Sequence, residues 1–161
     1  MKLKSLILLA LVGCDEEASH HHHTGESEIA IGCDHFAYGE DQPRTATLDT
    51  PGAEATLAAV HQRFVITLPA TEGTEGAKLS FVANEAGDFY FMLGEDLPFA
   101  VEQDGTTLTP AQVVAPGDEC AAAARVYQHT LEAGTYTLVI GPTEATELTL
   151  VPHLAGQDHS H

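Results

Sequence analysis

The sequence predicts an all-β protein, a single antiparallel β-sandwich of jelly-roll type, on three observations. Large apolar residues alternate with polar ones in runs of four to seven residues. Those runs are rich in β-branched and aromatic side chains, and each is bounded by Gly, Pro, Asp or Asn. Period two at that length buries one face of a strand and leaves the other in water, as in an antiparallel sheet.

The chain divides into four parts. Residues 1–13 begin with Lys2 and Lys4, continue as an apolar stretch from Leu6 to Leu11 and close on small residues, which is the layout of a secretory signal peptide. A membrane span needs about 20 apolar residues, and this stretch is far shorter. Residues 14–28 carry acids, Ser, Gly and His without apolar periodicity, so they are expected to be a disordered tether with a root-mean-square span of about 20 Å. Residues 29–154 form the β-sandwich domain, and 155–161 a short histidine-containing tail.

Within the domain each strand follows from its alternation. Phe64, Ile66 and Leu68 share one face of a strand over 64–68, and Leu79, Phe81 and Ala83 repeat the pattern over 79–83. Phe89, Phe91 and Leu93 follow over 89–93, then Phe99 with Val101, then Tyr136, Leu138 and Ile140 over 135–140, then Leu148 with Leu150. Phe64, Ile66, Phe81, Phe89, Phe91, Tyr136 and Leu138 should face one shared core. Two segments, 53–59 and 119–124, could be helical but are too short to stand alone.

Two resemblances add to this reading. Leu11-Val12-Gly13-Cys14 resembles a bacterial lipobox. The resemblance implies diacylation of Cys14, cleavage before it, and a mature chain held to the lipid bilayer of a bacterial cell envelope, facing the periplasm, with inner or outer membrane left open. From Lys78 onward, Gly87-Asp-Phe-Tyr-Phe91, Glu102-Gln-Asp-Gly105 and Leu131-Glu-Ala-Gly-Thr-Tyr-Thr-Leu138 are similar to the bacterial pre-peptidase C-terminal domain. That resemblance implies a small non-catalytic β-sandwich with calcium-binding or carbohydrate-binding associations.

Without the leader, four basic residues (Arg44, Arg63, Lys78, Arg125) stand against 24 acids. Such a surface repels nucleic acid and anionic headgroups and attracts cations. With Cys14 taken by lipid, Cys33 and Cys120 remain as a pair, and an oxidising compartment favours a disulfide between them. The competing reading makes both thiolates soft metal ligands, although neither cysteine has a CxxC partner.

Ten histidines exceed the six Lys plus Arg. They are His20, His21, His22 and His23 in the tether, His35, His61 and His129 in the domain, and His153, His159 and His161 toward the end. Neutral imidazole is the commonest transition-metal ligand, and clustering lets one ion collect several nitrogens. Asp15, Glu16, Glu17, Glu26, Glu28 and Asp158 could add oxygen ligands. His-rich tracts flanking a domain resemble those of envelope metal-binding and metal-delivery proteins. The same histidines also fit a solvated spacer, an expression tag or ordinary strand residues.

Histidine with carboxylate suits zinc first and copper second, while Met92 reads as core and leaves little thioether for Cu(I). On a strand, Cys33 and His35 would share a face, His61 would share Arg63's exposed face, and His129 would point inward with Tyr127 and Leu131. His35, His61 and His129 are the candidate folded site. The sequence has no HExxH, GxSxG, phosphate loop or EF-hand spacing, so no enzyme is expected. The expectation is an envelope protein that binds zinc or copper as a buffer or as donor to a membrane metal transporter. A non-catalytic module that binds protein or glycan, stabilised by calcium, is the alternative.

Overall fold

A computed structural model of the chain describes residues 27–70 and 75–157. A helix, α1 (Glu28–Tyr38), precedes β1 (Asp41–Thr45), β2 (Thr56–Leu57), β3 (Arg63–Thr67) and β4 (Ala77–Ala83). The chain continues through β5 (Gly87–Leu93), β6 (Phe99–Gln103), β7 (Thr106–Leu108) and β8 (Gln112–Val114). It closes with β9 (Arg125–Leu131), β10 (Gly134–Ile140) and β11 (Glu147–Leu154). The strands form two packed sheets, ordered β1-β3-β11-β5-β9-β8 and β2-β4-β10-β6-β7, and the fold is an all-β sandwich as expected.

Each strand from β2 to β6 lies in the opposite sheet from its predecessor. Same-sheet neighbours are therefore separated by a strand of the other layer, a link long enough to allow parallel pairing. Two edges use it, β1 running parallel to β3 and β2 parallel to β4, so the sheets are mixed rather than wholly antiparallel. The polar strand β1 carries Pro43, which suits an edge because proline has no N–H for a second neighbour. At the β6–β7 hairpin, Asp104 and Gly105 take φ of 52° and 76°, the conformation a two-residue turn with right-handed strand twist requires.

All seven residues expected to share a core do so. Phe81 meets Phe89 and Phe91 edge to face with ring centroids 5.5 and 5.1 Å apart, the arrangement the ring quadrupoles favour. Strict alternation marks β4, where Ala77, Leu79, Phe81 and Ala83 point inward. On β11, by contrast, every residue from Leu150 to Leu154 is buried. A strand reads that way only when both its faces are covered.

The second cover is α1, in a region the sequence reading assigned partly to tether and partly to strand. Ser27 caps the helix, its Oγ accepting the Ala30 N–H at 3.1 Å. Ile29, Cys33 and Phe36, spaced i, i+4, i+7, then form a stripe facing the outer side of the six-stranded sheet. They pack there with Met92, Cys120, Ala123, Val126 and Val151. Gly32 lets the helix seat closely, since a Cβ there would lie 2.6 Å from the Met92 Sδ and 3.3 Å from the His153 Cβ. Of the two candidate helical segments, 53–59 holds a single 3-10 turn at Ala53–Ala55, while 119–124 forms no helix beyond the end of a 3-10 turn at Gly117–Glu119.

Cys33 and Cys120 are bridged, with Cα atoms 5.5 Å apart across 87 positions of sequence. The bond fastens the buried stripe of α1 to the segment before β9. It also removes both sulfurs from any set of metal ligands.

Candidate metal centre

Three imidazoles meet beside α1: His35 from the helix, His61 from the loop before β3, and His153 from β11. One possible ligand atom from each lies within 4.8 Å of the other two. His153 is fully buried, and the other two are half-buried.

Each histidine has a local reason for its place. Glu28, Gly32 and His35 fall at i, i+4, i+7, so they form a second helical stripe beside the apolar one. Gly32, in the middle of that stripe, lies against His153. His61 has φ of 59°, a left-handed conformation that costs a non-glycine residue about 1–3 kcal/mol and tends to persist at functional sites. Its N–H donates to the Pro152 carbonyl at 2.7 Å, one residue before His153, which brings the two side chains together. Their ring centroids are 4.7 Å apart and the rings nearly perpendicular at 83°. His35 lies 5.2 Å from His61 and 6.4 Å from His153 by the same measure.

Polar neighbours surround the trio. His153 Nδ1 faces His61 Nδ1 at 2.9 Å, and His153 Nε2 meets Glu28 Oε2 at 2.8 Å. The other Glu28 oxygen accepts the Gly156 N–H at 3.3 Å. His61 Nε2 meets Gln157 Oε1 at 3.1 Å, while Gln157 Nε2 donates to Glu85. The Tyr90 ring lies 6.0 Å from that of His153. Its phenol is pushed above its ordinary value by burial and then by the Glu28 and Asp88 carboxylates.

Three histidines this close could hold a metal ion. A tetrahedral zinc bonds nitrogen at about 2.0–2.1 Å, which separates neighbouring ligand nitrogens by about 3.4 Å.

The sequence reading named His35 and His61 but joined them with His129. The sheet separates that trio. His129 lies inward on β9, buried at 2% exposure against Phe91, whereas His153 lies on the outer face under α1. His61 is half-buried rather than exposed: it lies in the loop before β3, off the strand face of Arg63, with its ring beside those of His35 and His153. Cys33 and His35 sit on a helix, where a spacing of two turns them to different stripes. Glu28 meets His153 as a hydrogen-bond acceptor, and sequence reasoning missed the roles of Gln157 and Glu85. The spacing of Glu28, Gly32 and His35 was the one signal available for this stripe. Residues 1–13, Cys14, His20, His21, His22, His23, His159 and His161 lie outside the described residues.

Burial pushes the His129 imidazole below its ordinary value, so the folded state holds it neutral. Above about pH 6.5 both folded and unfolded chains keep it neutral, and it contributes no pH dependence. As pH falls from there to the lowered folded value, the unfolded chain binds the proton first and stability drops. His129→Leu should flatten this part of the stability-against-pH curve, measured by urea unfolding between about pH 7 and pH 5.

No protein-family model matches this chain, and no curated protein matches it in sequence. The class in view is an all-β sandwich with a disulfide-fastened helix and a histidine cluster suited to a metal ion.

Proposed function

We propose that this protein binds a divalent transition metal, zinc before copper, as a lipid-anchored envelope protein that buffers the ion or hands it to a membrane transporter. The observation that carries the reading is the convergence of His35, His61 and His153, from three separate elements, to within 4.8 Å. An all-nitrogen donor set suits zinc, copper or nickel, and not calcium, which takes oxygen. Zinc carries no d-electron preference and accepts the arrangement three imidazoles offer. The tether histidines His20 to His23, with His159 and His161, would gather ions near this centre. Lipid on Cys14 would hold the domain to the bilayer on a tether with a root-mean-square span of about 20 Å, where a transporter could receive the ion.

Calorimetric titration of the full chain with zinc tests this. More than one equivalent should bind, and binding should fall steeply between about pH 7 and pH 5, because histidine must be deprotonated to ligate. Alanine at His20 to His23 should remove the larger share of equivalents. Alanine at His35, His61 and His153 should remove the tightest one. Calcium outcompeting zinc, or zinc binding unchanged when all seven are replaced, would sink the proposal in favour of a calcium-stabilised recognition module.

A further inference from the structure

We infer that Glu28 and the Gln157–Glu85 pair are positioning residues for this centre, fixing His153 and His61 as ligands through Nδ1. The inference rests on the metal reading above and goes beyond it by naming the ligating atoms and what selects them.

Hydrogen-bond chemistry assigns the tautomers. A carboxylate accepts only, so His153 Nε2, at 2.8 Å from Glu28 Oε2, carries a hydrogen and donates it. Glu28 is itself held by the Gly156 N–H on its other oxygen, in the first turn of a helix, where a negative side chain is favoured. Around His61 the same logic runs through an amide. Glu85 accepts from the Gln157 NH2 group, so the Gln157 carbonyl oxygen must face His61 and accept from its Nε2–H.

With both Nε2 atoms committed as donors, a neutral imidazole at each position presents a lone pair at Nδ1. Those Nδ1 atoms face each other at 2.9 Å. Two lone pairs at that distance repel unless a proton or a metal ion is shared between them, and His35 stands beside them as the third nitrogen donor. Carboxylate and amide partners on the far side of a ligating histidine fix its ring and raise its basicity, and losing one costs about 10–100-fold in metal affinity. Nδ1 sits closer to the backbone than Nε2, so ligation through it draws the ion in toward the loop and β11.

Nitrogen-15 NMR of histidine-labelled full-length protein, with and without zinc, reads these assignments directly. In metal-free protein at about pH 8, His61 and His153 should both show the Nε2–H tautomer, their Nδ1 atoms relaxing apart from the 2.9 Å approach. On adding zinc their Nδ1 signals should shift while the Nε2–H signals persist. Glu28→Ala should raise the Nδ1–H tautomer at His153 and weaken zinc about 10–100-fold. Glu28→Gln keeps an accepting oxygen, and should restore the tautomer and most of the affinity, which a variant acting through misfolding would not. Glu85→Ala frees the Gln157 amide and should perturb His61 in the same sense, more weakly. Zinc bound through Nε2 of either residue, or Glu28→Ala within about twofold of wild type, overturns this assignment alone. No zinc-induced shift at any of the three histidines overturns the metal reading and this assignment with it.

Discussion

Replacing Cys33 and Cys120 together with serine is expected to lower stability by about 4–5 kcal/mol, because the bridge closes a loop across 87 positions. In a domain of this size that corresponds to a fall in Tm of roughly 15 °C. Urea unfolding of the oxidised protein and the double variant measures it. The loss should be accompanied by weaker zinc binding, because Glu28 and His35 both ride on the helix the bridge fastens. An unchanged midpoint would mean that Ile29, Phe36 and the Ser27–Glu119 hydrogen bond dock α1 without help.

Removing His153 should have the largest effect on the metal. His153 is fully buried, touches both Glu28 and His61, and lies beneath Gly32, so His153→Ala takes away one of the three candidate ligands and leaves one Glu28 oxygen without its imidazole donor. Zinc affinity at the folded centre should drop by at least about 100-fold. An ion bound only to the folded chain stabilises it by about 2.7 kcal/mol at 100 times its Kd. That rise in Tm should vanish in His153→Ala and survive in a variant with alanine at His20 to His23. A rise that persists without His153 would place the stabilising ion elsewhere.

The sandwich was legible wherever a strand buries one face. Phe64 with Ile66, Leu79 with Phe81, Phe89 with Phe91, and Tyr136 with Leu138 each write period two into the sequence, and each lies in the shared core. Edge strands leave no such trace: β1 is the polar run from Asp41 to Thr45, and β2 is only two residues long. The helix was hidden by its own composition. Ile29, Ile31 and Gly32 all disfavour a helix intrinsically, and the close seat on β5 and β11 that makes Gly32 useful is a tertiary fact. The apolar stripe at Ile29, Cys33 and Phe36 and the cap at Ser27 were the signal available. The histidine cluster was half legible for the same reason. His35 and His61 stood out as domain histidines, but His153 joins them only once the outer face of β11 has a roof.

That roof also bears on how the chain survives before its disulfide forms. Met92, Val126 and Val151 make an apolar strip on the outside of a sheet whose inside is already full. Until Cys33 meets Cys120, each lifting of α1 bares the strip to neighbouring chains, with the sandwich otherwise intact. The reduced protein is therefore expected to be lost by aggregation through this local opening before it unfolds globally. Its loss should be concentration-dependent and slowed by a thiol oxidant, well below the temperature at which the sheets come apart.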